Sequence, residues 1–382
     1  MKIVVVGAGS VGAHIGYRLA ARGADVVLVD AANAGSGTSS ASFSWMSSFP
    51  HWSWPEDEGR ARLRRQIQPR YRELHEEIGG DWLHWSGGLN WVPPDERDQW
   101  LSAYATCREL GLDLELLDGK AVRERVPELH LSDDDEVIWE PGSGWVDAPA
   151  LIALLISNLK RLGAQVITGR AVVEMPTTSD AIRGVGLDDG TRLDADVVVN
   201  AAGSWSAHLA ALAGLAVPLD LVPGLMVYTQ PLENGMPAPV INSLSWLARR
   251  DPSGGLALHR RGVPMSAGYG GNGFSAQAII DEVAQMIPVL AGTAPARVRV
   301  GVRPIPPGGP VIGEVPWLRG LYFAVSHGGI GWAPVWADAA ASELLDGVPV
   351  ADLAGLRPTR FFLDNRSRAG RFADDFEVYS AG

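Results

Sequence analysis

A single cysteine, Cys107, stands in 382 residues, so no intrachain disulfide and no cysteine-based metal cluster can form. Positive charge is in short supply: 32 lysines and arginines against 44 aspartates and glutamates give a formal charge of −12. That balance excludes nucleic acid or an anionic membrane surface as the main partner, since both require basic patches. No uncharged run reaches transmembrane length. The first apolar run meets glycine before a secretory h-region can form, which predicts a soluble, cytoplasmic protein. Tandem repeats, low-complexity segments and metal-ligating clusters are also missing. Present in quantity are ordinary core-forming residues, 46% apolar with 20% charged, enough for two domains or one large domain carrying an insertion. The chain also has 14 tryptophans, in stretches such as "SFSWMSSFPHWSW", "DWLHWSGGLNW" and "SLSWLARR". Core packing accounts for most tryptophans, and a few are candidates to line a pocket.

The opening "MKIVVVGAGSVGAHIG" is the most informative stretch. "KIVVVG" reads as a strand buried on both faces. Gly7, Gly9 and Gly12 follow; in such a motif they give the tight turn, the close approach of backbone to a pyrophosphate, and the close packing of helix on strand. The helix runs through "AHIGYRLAARG" and stops at Gly23, and "ADVVLVD" supplies a second strand ending in Asp30. An acid there is placed to accept from the ribose hydroxyls of an adenosine and disfavours a 2′-phosphate. Strand, glycines, helix, strand and terminal acid in this order predict a dinucleotide site. NAD and FAD both satisfy it.

Further along, "AANAGSGTSSASFSWMSS" is rich in small and hydroxyl residues and suits a loop beside a phosphate or polyol. A basic helical segment ("RARLRRQIQPRYRELHEEIG") and irregular, tryptophan-rich sequence lead to about residue 145. Nucleotide-domain grammar then returns: a helix and strand in "APALIALLISNLKRLGAQVITG", strands and turns through "LDDGT", and the buried strand of "VVVNAAGSWS". Alternating strands and loops occupy about 223–299. Last come "GVRPIPPGGPVIG" and "GLYFAVSHGGIGWAPVWADAAASELLDG", a strand, a glycine loop and a helix, and a polar ending, "RSRAGRFADDFEVYSAG", that reads as a surface tail. The nucleotide fold thus comes in three pieces with two insertions.

These motifs, in this order, resemble the FAD-dependent D-amino-acid oxidase superfamily, within it the glycine oxidase and sarcosine oxidase branch. The resemblance rests on "VVVGAGSVGAHIGYRLAARGADVVLVD", "GSGTSSAS", "DADVVVNAAGSWS", "GVRPIPPGGPVIG" and "LYFAVSHGGIGWAP", and the last two have no counterpart in NAD dehydrogenases. It implies FAD as cofactor. It also implies an α/β fold: a Rossmann-type FAD-binding domain (1–80, 145–222, 300–382) with an inserted, mostly antiparallel β-sheet substrate domain (81–144, 223–299).

Residue by residue, the resemblance places Gly7, Gly9, Ser10, Val11, Gly12, Asp30 and Ala31 at the adenosine diphosphate. Thr38, Ser39 and Ser40 fall along the pyrophosphate and ribityl chain, and the backbone of Val172 or Val173 at the adenine. Ala201, Ala202, Gly203 and Trp205 pass near the flavin chain; Gly328, Gly329, Ile330 and Gly331 present amides to the pyrimidine edge, where a helix dipole favours negative charge. Arg303 matches the arginine that binds the substrate carboxylate, as a guanidinium fork does well; the alternative is a salt bridge supporting its loop. Its position beside the flavin also makes it a cofactor contact. His327 is expected either to position substrate or to make a structural hydrogen bond.

Departures from the pattern matter too. No cysteine stands near "VRPIPP", and Ser40 occupies the place of a flavin-linking histidine, which implies a noncovalent cofactor. Ser326 replaces a usual glycine, Trp246 a carboxylate-binding tyrosine, and Ala257 a lysine credited with oxygen activation. Trp45 replaces a smaller residue and, with Trp246 and Trp332, suggests an aromatic-walled pocket. His259, Arg260 and Arg261 read as a solvated basic cluster. The expected function is oxidation of the C–N bond of an amino acid or secondary amine to an imine by hydride transfer to flavin N5, with oxygen or another acceptor taking the electrons. The alternatives are a flavin-binding subunit without turnover and an NADPH-dependent flavin hydroxylase.

Overall fold

In the computed structural model, residues 1–50, 55–262 and 275–362 are described. Trp52, Trp54 and the polar ending read as a surface tail lie outside them. The chain divides into two units: Met1–Ser39, Ile152–Val222 and the chain from Val302 form the first, and Ser40–Leu151 with Pro223–Gly301 form the second.

The first unit is built on a six-stranded sheet, in the order Val311–Glu314, Leu321–Val325, Val197–Asn200, Lys2–Val6, Asp25–Asp30, Gln165–Thr168. Val4 sits between Val27 and Val198 in register. All pairs are parallel except the edge, where Val311–Glu314 runs against Leu321–Val325. Continuous apolar runs make these strands because both faces are covered: Ile3, Val4 and Val5 are fully buried, each worth about 1.5–3 kcal/mol of burial. A three-stranded antiparallel sheet (Val172–Glu174, Gly184–Leu187, Arg192–Asp194) contributes Val172, Val185 and Leu187 to a core with Val198 and Phe323. The helices Ser10–Ala21 and Gly329–Leu345 pack on one another: a Cβ on Gly329 would lie 3.0 Å from Val11 Cγ2.

The second unit carries most of an eight-stranded sheet, the Asp220–Val222 and Val302–Ile305 ends of two strands counting with the first: Pro295–Ile305, Asp220–Thr229, Leu256–Arg260, Trp246–Arg250, Val240–Asn242, Gly88–Trp91, Glu136–Glu140, Glu115–Asp118. One internal pair, Val240–Asn242 with Gly88–Trp91, is parallel, and the registered pairs of the other strands are antiparallel. Helix Ala276–Ala284 packs on one face, with Ile279, Ile280 and Val283 buried against Leu89, Leu225 and Leu258. A small sheet joins Trp45–Met46, Gly144–Val146 and Leu83–Trp85.

One expectation changes here. Residues 40–80 and 145–151 belong to the second unit, not the first, because Trp45–Met46 and Gly144–Val146 pair with each other in the small sheet. The basic helical segment forms two helices, Glu58–Arg64 and Ile67–Ile78. Its charges are only partly solvated: Arg64 lies buried in a close ion pair with Glu56 at 2.9 Å.

Candidate functional site

The glycine turn forms for steric reasons that can be read atom by atom. Gly7 has φ +107°, and a Cβ there would lie 2.4 Å from the Ala201 carbonyl oxygen. A Cβ on Gly12 would lie 1.8 Å from the Gly7 oxygen, so turn and helix meet as backbone on backbone. Gly9 differs: a Cβ there would approach only Ser39 Oγ, at 3.2 Å. The space before it is open, as a pyrophosphate requires. Helix Ser10–Ala21 has no side-chain cap, and its first internal bond runs from Ala13 N to the Gly9 oxygen. Ser10 N donates to Ser39 Oγ at 3.0 Å. The remaining amides of the first turn point out of the helix end, where the dipole favours an anion.

Asp30 closes the second strand and does more than wait for a ribose. Its Oδ2 accepts from Ala8 N at 2.7 Å and its Oδ1 from Ala32 N at 2.8 Å, so the carboxylate ties the glycine turn to the following loop while each oxygen keeps a second lone pair. Ala31 is exposed beside it. Val172 is buried and Val173 exposed. Ala201 N donates to the Val6 oxygen at 2.9 Å, setting the "NAAG" turn against the glycine turn; Ala202 follows, Gly203 takes φ +56°, and Trp205 is 68% exposed. Gly328 has φ +68° and begins the last helix without a side-chain cap. Behind it Ile330 is buried, Gly331 lies in the same first turn, and Trp332 stacks on Trp336 at 4.8 Å. With Gly329 against Val11, the two uncapped helix ends lie side by side.

Three segments converge on one carbonyl. Thr38 Oγ1 donates to the Val302 oxygen at 2.6 Å, and Ser204 Oγ donates to the same atom at 2.5 Å. Ser204 had no place among the expected residues; hydroxyls in "GTSS" and "GSWS" were its only signal. Arg303 follows directly. It is half-buried, its Nε donates to the Val222 oxygen at 3.3 Å, and desolvation lowers its pKa from the usual arginine value. His327 is exposed at the end of strand Leu321–Val325. In the second unit, Ser40 presents its carbonyl to Arg299 Nη1 at 2.9 Å.

The aromatic expectation is corrected in part. Trp246 is 5% exposed and packs in the core with Leu89, Ala248 and Ile280, on the face of the sheet that helix Ala276–Ala284 covers. Trp45 instead donates from Nε1 to Ser143 Oγ at 2.8 Å and meets Phe43 edge-on at 6.4 Å. The other face of strand Trp246–Arg250 brings a residue no motif flagged: Arg249, paired in register with Ala257. An arginine at an alternate position in a short apolar strand was the available signal. The basic cluster is only partly solvated. His259 Nδ1 lies 2.8 Å from the Leu225 oxygen, Arg260 pairs with Glu282 at 2.7 Å, and Arg261 packs against Asn242 and the Leu244 oxygen. Among the described residues no group of three metal-ligating side chains could hold an ion.

Residues 2–343 match the family described as FAD dependent oxidoreductase. The chain belongs to that family. The open glycine turn, its uncapped helix and Asp30 fit FAD. The chain is 27% identical to the glycine oxidase of Pseudomonas putida over 368 residues, covering 94% of this chain and 98% of that one. It is 25% identical over 336 residues to the anaerobic glycerol-3-phosphate dehydrogenase subunit A1 of Haloferax volcanii, covering 80% of this chain but only 55% of that one. The crystal structure of glycine oxidase from Geobacillus kaustophilus superposes with a TM-score of 0.81 at 25% identity, over 94% of this chain and 99% of that one. The protein is therefore an FAD-dependent oxidoreductase, and no helix among the described residues is long and apolar enough to cross a membrane.

Proposed function

We propose that this FAD-dependent oxidoreductase oxidises the C–N bond of an amino acid or secondary amine to an imine, which water hydrolyses. The observation that carries this reading is Arg303: a half-buried guanidinium on a strand whose preceding carbonyl, that of Val302, is gripped by two hydroxyls. A half-buried cation on a strand anchored in that way suits a carboxylate, which a guanidinium binds through paired, charge-assisted hydrogen bonds. FAD, when bound, supplies a two-electron acceptor for the hydride leaving the carbon beside nitrogen.

The chain's own part is then to bind, orient and stabilise. Arg303 fixes the carboxylate and thereby the position of the α-carbon. The uncapped start of helix Gly329–Leu345 directs its dipole at developing negative charge. An amine bound neutral already holds the lone pair that forms the imine, so His327, exposed and without a required proton to remove, is a positioning group in this reading. The cofactor is held noncovalently: Ser40 offers no ring nitrogen, and Cys107 is buried beside Trp100 and Leu114 with its thiol pushed up to about 12 by burial. A cytoplasmic setting suits that free thiol. Oxygen or another oxidant removes the electrons, and Ala257 in place of a lysine leaves both acceptors open.

Anaerobic mixing with a panel of D- and L-amino acids and N-methyl amines tests the reading. At least one carboxylate-bearing amine should bleach the flavin, and Arg303→Ala should raise its KM about 30-fold, the loss of one charged hydrogen-bond pair worth roughly 2 kcal/mol. A flavin that no amine reduces would overturn the reading in favour of a binding partner without turnover, and bleaching by NADPH alone would favour a hydroxylase.

A further inference from the structure

The geometry points to a second anion-binding residue, Arg249, in the sheet unit, which takes a carboxylate carried on a flat, apolar body. The inference deepens the amine-oxidation reading by naming a class of ligand, and it rests on a different residue, in a different unit, from Arg303.

Arg249 is 5% exposed. Its Nε donates to the Phe43 oxygen at 2.5 Å and its Nη1 to the Arg250 oxygen at 2.7 Å. Among the described residues, Nη2 has no hydrogen-bond acceptor. Neutral carbonyls satisfy donors but leave the positive charge unbalanced. The nearest carboxylate, Asp251, lies 3.9 Å from Nη1, beyond hydrogen-bond reach, and the same group stands 4.0 Å from Arg297. Asp251 is also engaged by Ser253, whose N and Oγ donate to it at 3.1 and 2.5 Å. Two guanidinium groups thus share one occupied carboxylate. Asp147 acts on Arg249 only at longer range, and its own Oδ1 accepts from Ala150 N. Burial depresses the Arg249 pKa below the usual arginine value, yet the group stays charged at neutral pH. A buried guanidinium whose one ion-pair partner among the described residues, Asp251, is 3.9 Å away and shared, and whose Nη2 keeps an open donor, gains from a ligand that supplies an anion.

The surroundings set the shape of that ligand. The guanidinium carbon lies 4.8 Å from the Trp145 ring and 5.7 Å from the Phe43 ring. His84 stacks on Trp145 at 3.8 Å, with burial lowering its pKa so that it adds no charge at neutral pH. Met226, Tyr228 and Ala257 make the adjoining apolar patch with Phe43. A guanidinium framed by flat rings and small apolar groups favours a planar or apolar acid over a compact, strongly hydrated anion.

Isothermal titration calorimetry of the flavin-loaded protein with benzoate, and with benzamide as its neutral match in shape, decides the matter. Benzoate should bind about 30-fold tighter than benzamide, and Arg249→Met should lose about the same factor for benzoate alone. Equal binding of the two probes, no binding of benzoate, or a folded Arg249→Met with wild-type affinity would each overturn the site. If Arg249→Met does not fold, Arg249→Lys decides: it keeps the charge but not the planar fork, so a several-fold loss supports the site and wild-type affinity overturns it. The two readings fail separately. A protein whose flavin no amine bleaches, but which binds benzoate through Arg249, keeps this site and loses the reaction.

Discussion

The glycine turn of the first unit and the Arg249 face of the second recognise ligands by opposite means. The turn works almost entirely through backbone: close glycine contacts, an uncapped helix end and one carboxylate already tied to two amides. The Arg249 face works through side chains, a buried guanidinium framed by Phe43 and Trp145. Backbone recognition depends on spacing within about two dozen neighbouring residues, whereas the second face draws on residues from three distant stretches. Steric substitutions should therefore be severe in the first, and charge or pH changes should separate the two units.

The largest effect is expected at Gly12. Its Cβ would fall 1.8 Å from the Gly7 oxygen, so Gly12→Ala should cost about 3 kcal/mol in chemical denaturation and abolish yellow colour. Gly9→Ala, with only Ser39 Oγ at 3.2 Å, should cost about 1 kcal/mol or less while still reducing flavin content. Equal destabilisation by both would break the steric account.

The next effects come from one buried titratable group in each unit. Glu140, in the second, is pushed up to about 7 by burial, against the pull of Ser47, Ser48 and nearby Arg64. A raised carboxyl pKa favours the neutral form in the folded state, so this contribution is full below the ordinary value of 4.5 and is lost as pH rises to about 7. Denaturation at pH 5 and pH 8 should show a loss of about 2 kcal/mol from this group, absent in Glu140→Gln. His14, in the first helix, is lowered to about 4, chiefly by burial, with its Nδ1 2.7 Å from the Ser10 oxygen. Its sign is the reverse: stability is full above 6.5 and falls as pH drops toward 4. Acidification from pH 7 to pH 5 should cost the first unit about 2 kcal/mol through this group, and His14→Gln should flatten that limb while leaving the Glu140 limb alone.

The smallest effect concerns the Val302 carbonyl, held by both Thr38 and Ser204. Removing either hydroxyl leaves the other, so Thr38→Val or Ser204→Ala should raise the KM of a carboxylate substrate about fivefold, near 1 kcal/mol, with kcat little changed. A loss as large as that of Arg303→Ala would show that the two hydroxyls do more than support.

Much of this was legible in the chain itself. "KIVVVGAGSVG" and "ADVVLVD" give a strand, a turn and a second strand because burial on both faces and glycine sterics act on neighbours. The motifs around Arg303 and Gly328 were legible by resemblance. The boundary near residue 40 was not, since the pairing of Trp45–Met46 with Gly144–Val146 joins segments about a hundred residues apart. Nor could tryptophan count assign faces: Trp246 and Arg249 stand three positions apart on one strand, and the two-residue alternation of a strand sends them to opposite sides.

Sequence alone determined the nucleotide turn, the order of the pieces and the likeness to flavin enzymes, because those rest on local spacing and backbone sterics. Tertiary structure decided which hydroxyls hold the Val302 carbonyl, which tryptophan is core, and that Arg249 is buried with Asp251 3.9 Å away and no direct hydrogen bond to it. Those are properties of contacts between residues far apart in the chain, and burial and charge balance exist only once the contacts are made.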